Sequence, residues 1–249
     1  MTNEIKIGAI TAFENGVRVN LLRMDGLPAP ETFLSAQELQ KYASFKIEKR
    51  RRDWLGGRYA AKTLLKETLA LEIPLSAIEI SYDISGRPVW QDGGSPHLLS
   101  ITHSGPFSAA ACGAAGTDFI GIDLEKAESR IDAWYKDYFH KSELKLDGEA
   151  ASQLDSQNAK QTPSPADQPS SCPAVQLPAA LATRLWTQKE ALLKALGIGL
   201  AADPLDINLA GSVPQFSRTA LKRYEELGKP PFKMDTFEPE PGWYLTVVS

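Results

Sequence analysis

Two short segments carry the residues whose types and spacing could do chemistry. Gly121-Ile122-Asp123-Leu124-Glu125 sets two carboxylates on alternate positions, and Trp186-Thr187-Gln188-Lys189-Glu190-Ala191-Leu192-Leu193-Lys194 adds a third carboxylate and two lysines. Strand side chains alternate between faces, so Asp123 and Glu125 project together, with Cα atoms about 7 Å apart, while Ile122 and Leu124 turn to the core. On a helix, Glu190 and Lys194 lie one turn apart and share a face. Lys189 sits about 100° around that helix and reaches a different part of any ligand. Each pattern alone also has a plain reading, as strand-end acids in solvent or as an exposed ion pair. Taken together, three acids and a cation suggest a divalent metal holding phosphate. Mg²⁺ keeps several waters and takes one or two carboxylates plus substrate phosphates; the same donors serve Mn²⁺.

Further candidates lie upstream. His103 stands in Ser100-Ile101-Thr102-His103-Ser104-Gly105, at the end of an apolar strand, where a polar turn can present a hydroxyl, an imidazole and backbone N–H groups to an anion. Gly86-Arg87-Pro88 is a turn whose glycine and proline give the arginine a defined direction, and arginine grips phosphate with two parallel bonds. Arg51 and Arg58 follow the start of the basic run Lys49-Arg50-Arg51-Arg52. A hydrogen-bonded turn histidine, a surface turn and a solvated helix face are the alternatives at these three places.

Those residues need elements to position them. Strands are expected over 5–10 and 17–22, a helix opened by the capping box Ser35-Ala36-Gln37-Glu38, and a long helix over 48–71 with Trp54, Leu55, Ala61, Leu64, Leu65 and Leu69 on one stripe. Gly56-Gly57 inside that helix costs about 1 kcal/mol per glycine relative to alanine, which suggests that another backbone or a ligand passes close by. Short strands follow over 78–82, 98–102, 107–112 and 119–124, then a helix over 131–139. Residues 148–178 turn rich in Ala, Ser, Gln, Asp and Pro and are expected to form a mobile insertion. A strong helix over 180–196 closes at Gly197, and strands are expected over 205–209, 232–237 and 243–248.

Composition bounds the rest. The 249 residues suffice for one large or two small domains, and 43% hydrophobic with 23% charged residues is ordinary for a globular protein. No run approaches the roughly 20 apolar residues of a membrane span. A net charge of −4 does not favour non-specific nucleic-acid binding. Two cysteines make neither a disulfide framework nor a four-ligand zinc site. With no leader pattern at the N-terminus, a cytoplasmic protein is expected. Phosphate-binding, dinucleotide-binding and nucleophile-elbow glycine motifs are all missing. A faint internal repeat matches Trp54, Arg58 and Lys62 to Trp186, Glu190 and Lys194. If it is real, two similar α+β halves meet near Thr117 with a site between them.

The order Gly-Arg-Pro, Thr-His-Ser, Gly-Ile-Asp-Leu-Glu-Lys, then Trp-x-x-Lys-Glu-Ala-x-x-Lys-Ala-x-Gly-x-Gly-Leu resembles the Sfp-type 4′-phosphopantetheinyl transferases. The resemblance spans about 45–200, apart from the insertion. It implies an α+β pseudo-dimer of two similar halves, each a small, mainly antiparallel sheet with packed helices. The N-terminal half, 1–117, would bind coenzyme A, and the C-terminal half, 118–249, would carry the metal and catalytic residues. The implied reaction moves phosphopantetheine from coenzyme A to a serine of an apo acyl or peptidyl carrier protein, with Mg²⁺, releasing 3′,5′-ADP. By the same resemblance, Asp123, Glu125 and Glu190 hold the metal, and Glu190 and Lys194 are catalytic. Arg51, Arg58, Arg87, Thr102, His103, Lys189 and Lys194 contact coenzyme A. Arg87 and Thr102 stand where many relatives carry lysine and serine. Ile131, Trp134, Tyr135 and Phe139 form either a surface for the carrier or plain core. A pseudo-dimer needs no second copy, so a monomer is expected, with neither nucleic acid nor membrane as partner. A metal-dependent phosphodiesterase would use the same acids with water as nucleophile, and a non-catalytic coenzyme A-binding module would use the arginines alone.

Overall fold

The computed structural model describes residues 4–91, 94, 96–114, 116–146, 177–199 and 202–249. Its first hairpin joins β1 (Ala9–Ala12) to β2 (Arg18–Arg23) through a turn at Asn15-Gly16, where Gly16 adopts φ +83°. The first strand therefore begins later than the alternating pattern suggests. Gly8, at φ +81°, donates its N–H to the Leu21 carbonyl and breaks the strand upstream, leaving Ile7 in an isolated bridge. Helix α1 (Ala36–Ser44) opens on the expected capping box. Glu38 N donates to Ser35 Oγ, and Ser35 N donates back to the Glu38 carboxylate.

Helix α2 (Glu48–Thr68) buries its Leu64–Leu65 stripe against the sheet formed by β2, β5 (His97–Ser104) and β6 (Phe107–Cys112). Its two glycines allow that approach. A Cβ on Gly56 would collide with Met24, and one on Gly57 with Ile101 of β5. With β3 (Ser81–Tyr82) and β4 (Pro88–Trp90) the strand order is β1-β2-β6-β5-β4-β3, every neighbour antiparallel.

A second sheet holds β7 (Gly121–Lys126), β10 (Met234–Glu240) and β11 (Trp243–Val248) in the order β10-β11-β7. Helix α4 (Ala179–Ala195) packs across it, preceded by the short α3 (Asp132–Tyr138). A two-stranded ribbon, β8 (Ile207–Asn208) with β9 (Gln215–Phe216), and helix α5 (Arg218–Glu226) complete the chain. The expected insertion, 148–178, lies outside the described residues except for Leu177 and Pro178, which lead into α4. No helix among the described residues is long and apolar enough to cross a membrane.

The pseudo-dimer is visible in the connectivity. In the N-terminal half the order β2, α2, β5, β6 pairs β2 with β6 and β6 with β5. In the C-terminal half β7, α4, β10, β11 pairs β7 with β11 and β11 with β10. The matching residues differ from those the faint repeat suggests. Lys62 answers to Lys189, not to Lys194. Both are fully buried, and each donates to one glutamate and two main-chain carbonyls: Glu38, Phe33 and Leu75 for Lys62; Glu143, Tyr138 and Pro204 for Lys189. A shared apolar core joins the halves, with Ile122, Leu124 and Leu245 packed among Val19, Leu21 and Phe107.

Candidate active site at the junction of the halves

Strand alternation places the acids as expected. Ile122 and Leu124 enter the shared core, and Asp123 and Glu125 face the other way. Helix α4 comes close because Gly121 has no side chain; a Cβ there would overlap the Ala191 carbonyl. That approach brings Lys194 Nζ to 2.6 Å from Asp123 Oδ1 and 3.0 Å from the Ile122 carbonyl. Glu190, one turn earlier and 7% exposed, sits in the same electrostatic group. Burial first, and then the Asp123 and Glu125 charges, push its carboxyl up to about 7. Glu125 is also raised, by burial and then by Asp123.

Two oxygens in this group have no hydrogen-bond donor: Asp123 Oδ2 and Glu190 Oε1, both buried. Buried carboxylate oxygens without a partner are costly. A hard cation with oxygen ligands would satisfy them. Among the described residues no three His, Cys, Asp or Glu side chains stand together so as to hold a metal ion by themselves. Mg²⁺ is typically held by one or two carboxylates and completes its shell from phosphate and water. The donor set fits such an ion.

Helix α4 ends at Gly197, with φ +71°, whose N–H donates to the Lys194 carbonyl while Ile198 N donates to Leu193 O. The bare Cα lets Arg87 lie against it. Beyond opens a cavity of about 720 Å³ between the halves. Lys41, Arg50, Arg58, Arg87, His103 and Lys194 bring positive or protonatable groups to its wall, against one carboxylate among the described residues, that of Asp53. Asp83 shapes the Arg87 turn, accepting from the Ser85 and Arg87 N–H groups at Oδ1 and from Arg87 Nε at Oδ2, while Arg87 Nη1 reaches the Asp118 carbonyl. The arginine's direction is thus fixed, as the turn suggests. Arg58 is buried, with its guanidinium 5.0 Å from the Trp54 ring centre and 5.2 Å from that of Tyr82, whose hydroxyl it meets at 2.8 Å. His103 Nδ1 lies 3.6 Å from Asp53; burial holds the imidazole below its usual range, with Asp53 pulling the other way.

Three of the expected ligand contacts are corrected. Thr102 does not face the cavity. It alternates with His103 and points at β7, where its hydroxyl meets Asp123 Oδ1 at 3.0 Å and receives the Leu124 N–H. It belongs to a ladder of β5 hydroxyls, in which Ser100 Oγ accepts the Ile122 N–H and Ser104 Oγ donates to Glu125. Lys189 is fully buried on the far side of α4 and engaged by Glu143 and two carbonyls, so no ligand reaches it. Arg51 pairs with Glu48 and lies over the Tyr42 ring, off the cavity wall. The wall instead carries Lys41 and Arg50, which the sequence reading does not name as ligands. Their signal was the exposed basic side of α1 and α2. On the α3 segment, Tyr135 and Phe139 are core, Trp134 packs edge-on against Trp186 at the helix surface, and Ile131 is 75% exposed.

Residues 119–230 match the sequence pattern of the 4′-phosphopantetheinyl transferase superfamily. The chain is 34% identical over 85 residues to the holo-[acyl-carrier-protein] synthase of Staphylococcus carnosus, covering 32% of this chain and 73% of that protein. It is 29% identical over 192 residues to the 4′-phosphopantetheinyl transferase HetI of Nostoc sp., covering 75% and 70%. The L-aminoadipate-semialdehyde dehydrogenase-phosphopantetheinyl transferase of Schizosaccharomyces pombe shares 28% over 165 residues, 59% of this chain and 54% of that one. The chain belongs to the 4′-phosphopantetheinyl transferase superfamily, as its motif order suggests.

Proposed function

We propose that this chain transfers the 4′-phosphopantetheine group of coenzyme A to a serine of an apo acyl or peptidyl carrier protein, releasing 3′,5′-ADP. Lys194 carries this reading. Its single ammonium lines the cationic cavity and also bonds Asp123, so a polyanion in the cavity would end at the acids. Coenzyme A has that shape and charge. The N-terminal half, 1–117, supplies most of the wall, while 118–249 supplies Lys194 to it and carries Asp123, bonded to that ammonium, with Glu125 and Glu190 beside it. One chain holds both sides of the cleft, so a monomer is sufficient.

Asp123, Glu125 and Glu190 would hold Mg²⁺ or Mn²⁺, which supplies charge neutralisation at the diphosphate. The chain's own groups do the rest. Arg87 and Arg58 orient the nucleotide, and Lys194 stands where charge builds on the departing phosphate. The carrier serine oxygen bonds to the phosphorus bearing the pantetheine arm, and the bond from that phosphorus to the bridging oxygen breaks. The serine proton passes to Glu190, directly or through a water. Glu190 is buried beside Asp123 and one helical turn from Lys194, so its carboxylate stands at the reacting end of the cavity to receive that proton. Such transfers are catalysed mainly by positioning and electrostatics. Ile131, exposed beside Trp134, offers an apolar contact for the carrier.

Intact-mass measurement tests the reading. Incubation with coenzyme A, Mg²⁺ and a panel of apo carriers should add one phosphopantetheine arm to at least one carrier. Tight coenzyme A binding with no modified carrier, or steady release of free phosphopantetheine without a carrier, would overturn it.

A further inference from the structure

The cavity arginine Arg58 has a carboxylate beside it that it does not fully engage. Glu38 Oε1 lies 3.5 Å from Arg58 Nε, yet neither atom makes a hydrogen bond. The other oxygen, Oε2, takes the Ser35 N–H and the Lys62 ammonium. Lys62 is 0% exposed and is further anchored by the Phe33 and Leu75 carbonyls. It does not line the cavity. Two buried cations therefore share the one buried carboxylate of Glu38, with the exposed Glu79 acting on Lys62 and not on the cavity wall. Guanidinium and carboxylate at this distance would ordinarily close into a paired, two-bond contact. Here Lys62 holds the carboxylate back.

We infer that Lys62 is a positioning residue for the ligand cavity: by holding the Glu38 carboxylate, it keeps the charge of Arg58 available for the phosphates of the bound nucleotide. The inference rests on the reading of the cavity as the coenzyme A site. The C-terminal half supports it by contrast. There the Glu143 carboxylate is consumed by the Lys189 ammonium and by the His140 and Leu209 N–H groups, and apolar Leu185 lies one helical turn before Lys189, as Arg58 does before Lys62. The lysine–glutamate pair is common scaffold, and the arginine set beside it is particular to the cavity.

The test is a charge cycle read by calorimetric coenzyme A binding and by separate KM values for coenzyme A and carrier. Lys62→Met frees Glu38 to pair with Arg58, so coenzyme A affinity should fall on the order of 10–100-fold, the loss of one charge-assisted contact, while the KM for carrier stays put. Glu38→Gln/Lys62→Met removes the quenching carboxylate and should restore affinity to within about threefold, because replacing both members of a buried pair is often tolerated. Lys62→Gln keeps hydrogen-bond donors without the charge and serves if Lys62→Met does not fold. Undiminished coenzyme A binding in a folded single variant, or a double variant as weak as the single, overturns the inference. A wild-type protein that binds no coenzyme A would overturn the function instead, so the two failures are told apart.

Discussion

The two halves share a scaffold but differ at one pair of positions. In the C-terminal half, β7 offers Asp123 to Glu190 on α4, and two carboxylate oxygens are left without donors. In the N-terminal half the matching strand and helix positions hold Asn20 and Thr63. Asn20 Nδ2 donates to Thr63 Oγ1 at 2.8 Å and to the Ala60 carbonyl at 3.0 Å, so the amide donor is satisfied internally. One site asks for a cation and the other needs nothing. Of these two matching positions, only the C-terminal one leaves buried carboxylate oxygens without donors.

The sharpest way to break this contrast is to give the C-terminal half the N-terminal residue. Asp123→Asn should lower carrier modification about 10²–10³-fold, the usual loss for an oriented electrostatic contact. Near-normal turnover at saturating Mg²⁺ would remove Asp123 from its role. Lys194→Ala should lose a similar factor in the same assay.

A second measure is thermodynamic. The Glu190 carboxyl is raised from 4.5 to about 7 in the folded chain. A carboxyl raised on folding binds its proton more tightly in the native state. Its contribution is present below about 4.5 and is lost as pH climbs to about 7. Wild-type protein without divalent metal should therefore lose about 3 kcal/mol more than Glu190→Gln across that window. Denaturant titrations at several pH values would read this, and parallel curves would refute it.

Asn20→Asp probes the quiet half. A carboxylate cannot donate to the Ala60 carbonyl, so stability should fall by about 1–3 kcal/mol, with no gain in activity. Thermal melts and the carrier assay follow both. The smallest effect belongs to Thr102→Val, which keeps the shape and removes one of the two groups holding Asp123. About a tenfold drop in kcat is expected, equivalent to about 1.4 kcal/mol, with coenzyme A affinity unchanged. A change confined to coenzyme A binding would return Thr102 to the cavity.

Much of this was legible in the chain. The period of two in Ile122 to Glu125 separates acids from core, and the capping box at Ser35 marks where α1 begins. Gly56-Gly57 suggests another backbone or a ligand close by; what packs against the pair is the side chains of Met24 and Ile101. What escaped depends on partners distant in sequence. Lys189 looks like a polar helix position because nothing near it announces Glu143, forty-six residues earlier. Thr102 and His103 are adjacent, and only the placement of β7 decides which of them meets the acids. Strand β9, two residues long, carries too little period to register, whereas β8 falls inside the strand expected over 205–209. The repeat pairs Lys62 with Lys194 because each lies eight residues after a tryptophan, whereas burial and partners match Lys62 to Lys189.

The β5 hydroxyls have one more effect. Strand β7 ends its own sheet, and such a border ordinarily exposes a row of amides that a stray chain can join. Ser100 and Thr102 occupy the Ile122 and Leu124 amides. The same small side chains that steady the acids therefore also close this edge of the sheet, so removing the Ser100 or Thr102 hydroxyl would leave a β7 amide without its acceptor.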